Sequence, residues 1–235
     1  MQQIKQDKFI GKWVFPKSDD LEQQIGRDKS ADINLIAQDI ITKLKVIQSD
    51  VILDVCCGNG MLTCIIAKKC DRLYGVDFSE MLIDTAKAKN SSENIIYHIG
   101  NALEIDNIYS ENTFDKSYIY FSFQYFNINT GEQLIKILSQ LTKPDGLIFI
   151  GDIPDKRKIR IYYNTFRKYL RYIKNKYLRK LKHIDGEDSL GWWWHPKNIK
   201  KICKGLGLNC IIYNQDSKMI HSHYRFDVLI VNTKK

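Results

Sequence analysis

Residues 51–60, Val-Ile-Leu-Asp-Val-Cys-Cys-Gly-Asn-Gly, constrain this chain more than any other stretch. Val51 to Val55 is apolar and largely β-branched apart from Asp54, the composition of a strand buried on both faces of a parallel sheet. Gly58 and Gly60 break the strand, and Met61 to Lys69 follows with Leu62, Ile65 and Ile66 at helical spacing. The order is therefore strand, glycine turn, helix. Glycine permits the tight turn and the approach of a ligand to the backbone. The first N–H groups of the helix point at whatever occupies the turn. The next short apolar run, Leu73 to Val76, ends in Asp77, 19 positions after Gly58. A carboxylate about 20 residues beyond such a turn suits the two hydroxyls of a ribose. A helix N-cap in an ordinary βαβ unit is the other reading of Asp77.

Leu53-Asp54-Val55-Cys56-Cys57-Gly58-Asn59-Gly60 resembles the first motif of class I S-adenosylmethionine-dependent methyltransferases. Val76-Asp77-Phe78-Ser79-Glu80-Met81-Leu82 resembles their second motif, Gly100-Asn101-Ala102 their third, and Leu141 to Ile150 the strand after the core. The likeness runs over residues 48–152, with a weaker part near the C-terminus. It departs at the first glycine of Gly-x-Gly-x-Gly, which is Cys56 here, as in some quinone-methylating members.

The resemblance implies an α/β, Rossmann-like fold: a seven-stranded, mostly parallel sheet with an antiparallel last strand and helices on both faces. It implies S-adenosylmethionine as cofactor, bound by Asp54, Cys56, Gly58, Asn59, Gly60, Asp77, Phe78, Met81, Asn101, Ala102 and Tyr120. Asn101 would bond the adenine amino group, and Met81 and Leu103 would flank the ring. Arg27, on an N-terminal arm, either reaches the carboxylate of the cofactor or is a solvated loop arginine.

At 235 residues one α/β domain is expected, divided into an arm and helix (1–47), a cofactor-binding core (48–152), a basic insert or acceptor cap (153–190) and a C-terminal helix and hairpin (191–235). No run of 18 uncharged apolar residues is present, so no membrane span is expected. Met1 to Asp7 is polar and does not read as a signal peptide. The six cysteines form no Cys-x-x-Cys pair, which points to a reduced, cytoplasmic protein without a metal site.

Periodicity predicts a helix over 31–47 capped by Asp32, a helix after Ser79, strands at Ile95 to Ile99 and Phe114 to Phe121, and a helix over Gly131 to Gln140. Lys143-Pro144-Asp145-Gly146 reads as a turn, and Leu147 to Ile150 as the fifth strand, with Asp152 just past its end. At the end of the fourth strand stands Tyr120-Phe121-Ser122-Phe123-Gln124. Methyltransferases acting on the amino group of adenine or glutamine carry Asn/Asp-Pro-Pro-aromatic there, so this chain is not expected to share their chemistry. The lack of a Pro-Cys nucleophile argues likewise against cytosine C5 methylation.

The net charge is +9, and residues 156–182 carry twelve Lys or Arg and no acid. Tyr and aliphatic residues interleave at spacings of three and four, a basic amphipathic helix with a break. Such a helix covers an acceptor pocket with its basic face in solvent, or it faces an anion: a phosphorylated sugar, a nucleotide-linked intermediate, an anionic membrane or RNA.

Near the C-terminus, Pro196 is placed to open a helix, with His195 as its cap. Leu208 to Tyr213 and His223 to Val231 read as a hairpin whose last strand enters between the fifth and sixth. His221 and His223 then share a face and, with Asp152, are the candidate catalytic groups, a histidine serving as general base. The alternatives are packing residues or a His-x-His metal site with Asp152. Trp192, Trp193 and Trp194 either fill core or stack on a sugar. Ser189 to Pro196 and His223 to Val228 resemble stretches of small methyltransferases from bacterial polysaccharide clusters. That likeness implies O-methylation of a sugar or phosphorylated surface-polymer precursor. RNA methylation and a non-catalytic partner subunit of the same fold are the rival functions.

Overall fold

A computed structural model describes residues 31–184 and 186–233. Helix α1, Ile33–Leu44, opens at Asp32, whose side chain accepts from the N–H groups of Asn34 and Leu35. Then follow β1 (Val51–Val55), α2 (Met61–Ile66), β2 (Arg72–Asp77), α3 (Glu80–Lys89), β3 (Ile95–Ile99), β4 (Phe114–Tyr120), α4 (Ile128–Leu141) and β5 (Thr142–Pro154). Two helices carry the basic segment, α5 (Ile159–Tyr162) and α6 (Phe166–Leu181). The chain ends with α7 (Pro196–Gly205), β6 (Asn209–Asn214) and β7 (Arg225–Val231).

The seven strands lie in the order β3-β2-β1-β4-β5-β7-β6. All pairs from β3 to β5 are parallel, and β7 is antiparallel to both β5 and β6. Alternate residues serve opposite faces of the sheet. Leu53, Val55, Ile119, Ile148 and Ile150 pack with α4 and α7, while Ile52, Tyr118, Phe149 and Leu229 pack with α1, α2 and α3. Strand order reverses between β1 and β4, which opens a crevice at the carboxyl ends of these strands.

Three expectations need correction. The fifth strand does not stop at Ile150 but reaches Pro154, with a register shift between Ile150 and Ile153, so Asp152 sits inside a bulge. Its φ of 62° is held because Asp227 accepts from its N–H and Arg225 donates to its carbonyl. The 143–146 segment lies within the strand's bounds, with Asp145 at φ 61° supplying the bend. Finally, β7 starts at Arg225 rather than His223. Residues 217–224 form a run of turns, so the expected strand alternation of His221 and His223 is absent.

The basic segment splits as its sequence suggested. A 3-10 turn at Lys156–Lys158 leads into α5, and Thr165 caps a separate α6 by accepting from Lys168 N–H. His195 caps α7 through Nδ1, with Pro196 in the first turn. Trp193 and Trp194 are buried, as the core reading required.

Candidate active site

The crevice at the switch point is a cavity of about 480 Å³, within the range of small-molecule sites. Its first half is made by the β1, β2 and β3 ends. Asp54, Cys56, Gly58, Asp77, Phe78, Asn101 and Ala102 all line it, brought together from three parts of the sequence. Asp77 is held in place from both sides: one carboxylate oxygen accepts from Gly58 N–H at 2.9 Å, the other from Ser79 N–H at 3.0 Å. The Phe78 N–H also acts on this carboxylate, which keeps acceptor capacity for a ligand at the cavity wall. Burial pushes the Asp77 carboxyl above its ordinary pKa, although these backbone N–H groups pull it down.

Asp54 lies deeper. Its Oδ2 accepts from the Thr63 hydroxyl at 2.7 Å and the Tyr118 hydroxyl at 2.6 Å. Full burial pushes its pKa up to about 7, against the lowering effect of those two hydroxyls. Cys56, where the motif's first glycine would stand, takes φ 60°, a left-handed backbone that glycine adopts without strain. Burial also drives the Cys56 and Cys57 thiols up, which keeps them protonated and unreactive.

Several expected residues lie elsewhere. Gly60 does not line the cavity: a Cβ on it would come within 2.3 Å of the Tyr97 hydroxyl, so its hydrogen serves packing on β3. Asn59 is fully buried outside the wall, its carbonyl accepting from Asn90 Nδ2. Met81 is outside the lining too, exposed on α3, and Met61 from α2 stands in the wall instead. Arg27 and the N-terminal arm lie outside the described residues.

The second half of the cavity lies beyond the ends of β4 and β5. Tyr120, Phe121, Tyr125, Phe126, Trp192 and Ile220 give it an aromatic and apolar wall, joined by Asp152, Lys218, Met219 and His221. The Tyr120 hydroxyl donates to Met219 Sδ at 3.8 Å, tying β4 to the 217–224 turns. Of the two histidines, His221 lines the cavity. His223 is exposed outside it, edge-on against Tyr224. Among the described residues no group of three His, Cys, Asp or Glu could hold a metal. No residue of 156–182 is among those lining the cavity.

Beneath this wall runs a buried charged network. Arg225, only 1% exposed, pairs with the Asp152 carboxylate at 2.9 Å and lies over the Phe121 ring at 5.0 Å. Gln215 donates to both Asp152 and Asp227, and Lys43 joins Asp227 to Asp39. Burial raises the Asp152 carboxyl's pKa although Arg225 opposes the shift. Burial works to lower Lys43, but Asp227 and Asp39 outweigh it and hold the ammonium above its usual pKa. Arg225 and Asp227 escaped the sequence reading. Their signal was there: opposite charges two residues apart in an otherwise apolar strand point to one face and call for a partner.

Residues 52–146 match the methyltransferase domain family. A demethylmenaquinone methyltransferase of Lactobacillus johnsonii is 33% identical over 115 residues, 46% of each chain. One from Staphylococcus aureus is 32% identical over 100 residues, 41% of this chain and 40% of that protein. The match thus spans less than half the length of these relatives. Among solved structures, a chain of the Haloferax volcanii complex between the Trm112 methyltransferase activator and a methyltransferase aligns with TM-score 0.68. Its identity is 11%, over 97% of this chain and 99% of that one. A SAM-dependent methyltransferase of Methanosarcina mazei aligns with TM-score 0.62 at 15% identity, covering 82% and 95%. These likenesses establish the class I methyltransferase fold, and S-adenosylmethionine is the cofactor of a domain of this kind.

Proposed function

We propose that this chain, a class I methyltransferase by domain and fold, moves the methyl group of S-adenosylmethionine to a small, flat, largely apolar acceptor of the phenol or quinol type. The observation that carries the acceptor class is the wall beyond the β4 and β5 ends. It is built from Tyr120, Phe121, Tyr125, Phe126 and Trp192. Among the described lining residues Lys218 is the sole Lys or Arg, against four aspartates, Asp32, Asp54, Asp77 and Asp152. A phosphorylated sugar would find Lys218 as the one described cation to answer its charge, whereas a ring buries well on aromatic faces. The two relatives described above, both named for a quinone acceptor, support the same class.

The described residues fit the cofactor. Asp77 would accept the ribose hydroxyls with its remaining lone pairs, and Ala102, Leu103 and Leu82 would cover the adenine. Gly58, without a Cβ, leaves the turn open to the cofactor's amino-acid end. The bound cofactor supplies a sulfonium methyl that is already electrophilic. The protein's part is to hold the acceptor in line and keep water out. His221 would take the acceptor's hydroxyl proton as the methyl transfers, so the products are the methylated acceptor, S-adenosylhomocysteine and one proton.

A methyl-transfer assay with labelled cofactor tests this directly. Turnover is expected with hydroxylated naphthalenes and hydroquinones and none with sugar phosphates; the reverse pattern would refute the acceptor class. His221→Ala should cut turnover roughly 100-fold or more while sparing cofactor affinity, and His223→Ala should behave as wild type. Asp77→Ala should weaken calorimetric cofactor affinity by at least about tenfold, since hydrogen bonds to a charged group are lost. Unchanged affinity in that variant would remove the cofactor assignment.

A further inference from the structure

Helix α6 shows an arrangement the cavity does not use. Phe166, Leu170, Ile173, Tyr177 and Leu181 recur at spacings of three and four, so they form one stripe along the helix. Each is between 45% and 71% exposed. The stripe faces outward because another side of the helix is tied down. Tyr172 and Lys176 both bond one Glu187 oxygen at 2.7 Å, Lys156 bonds the other, and Arg179 donates to the Gly186 carbonyl. Arg167, Arg171, Lys174 and Lys180 are exposed beside the stripe and form no salt bridge among the described residues. The segment from 156 to 182 contains no acid.

We propose that α6 is a membrane-surface helix, laying its apolar stripe into the interface of an anionic bilayer with its basic rim on the headgroups. An apolar stripe flanked by Lys and Arg has the two attachments that such a surface rewards, acyl-chain contact and phosphate attraction. At 16 residues the helix is about 24 Å long, and no described helix is long and apolar enough to cross a membrane. It therefore lies flat. RNA would reward the cations but has no use for Leu170, Ile173 and Leu181. A second copy pairing stripe to stripe would bring two rims of the same sign together. The inference stands on this surface alone and is independent of the acceptor.

Co-sedimentation of the full chain with vesicles decides it. Wild type should pellet with phosphatidylglycerol–phosphatidylcholine vesicles and stay in solution with phosphatidylcholine alone. Leu170→Asn/Ile173→Asn should lower partitioning at least tenfold, and Arg167→Gln/Arg171→Gln/Lys174→Gln should do the same, with melting temperatures unchanged in both. The proposal is overturned if wild type ignores the anionic vesicles, or if the apolar variant binds them as well as wild type. It is equally overturned if transfer RNA binds, survives the apolar substitutions and is lost with the charges while vesicles are not bound. A dimer in solution that the apolar variant dissociates would assign the stripe to self-association instead.

Discussion

Asp54 sits where solvation and hydrogen bonding oppose each other. Burial favours its neutral form, the Thr63 and Tyr118 hydroxyls favour the anion, and burial wins, leaving a carboxyl that titrates near pH 7. The sign of the linkage follows. An unfolded Asp releases its proton near 3.8, while the folded one holds it to about 7. Between those values the native state binds the extra proton, so this group's contribution is most favourable at low pH and is lost as pH rises through the window. Asp54→Asn removes the titration. The melting temperature of wild type minus that of the variant should therefore fall from pH 5 to pH 8, and a pH-independent difference would reject the shift. Residue identity alone marked Asp54 as part of a motif. Its protonation comes from burial, which Tyr118, 64 positions away, only opposes, and neither the burial nor that hydroxyl could be read locally.

At the scale of elements, α4 shows how a helix is placed by one missing atom. It runs from an Asn127 cap straight into β5 and buries Leu134, Ile135 and Leu138. Gly131 faces Trp194: a Cβ there would lie 2.6 Å from the indole. That indole is buried and held by Phe123, centroid to centroid at 4.8 Å, so it has little room to give. Gly131→Ala would gain about 1 kcal/mol of helix propensity but lose about 1–3 kcal/mol to overpacking. A net loss of stability is expected in chemical denaturation, and a more stable variant would show that the ring can shift. Strand β1 and the caps at Asp32 and Ser79 were legible, because local composition and side-chain hydrogen bonds set them. The extent of β5 and the start of β7 were not. Both depend on Arg225, whose bonds to Asp152 hold open a bulge that no periodicity announces.

Across the whole molecule the Arg225 network joins α1, β5, β7 and the turns after β6 under the floor of the cavity. Removing the cation leaves Asp152 buried without its partner. Arg225→Met should cost about 3–5 kcal/mol in urea unfolding, and it should loosen Phe121 and Asp152 in the acceptor wall. A loss below about 1 kcal/mol, the range of an exposed pair, would mean that the network is not stabilising. Residue order was enough for the fold class and for most of the first half of the cavity, Asn59, Gly60 and Met81 excepted, because a strand, a glycine turn and a following acid are local features with local causes. In the acceptor half the sequence marked Tyr120, Asp152 and His221, but only tertiary structure assembled the wall around them. Its wall comes from the end of β4, the residues after it, Trp192 and the 217–224 turns, which only the insertion of β7 beside β5 brings to one place. The same packing put His221 in the wall and His223 outside it, a choice that two histidines separated by one serine could not express.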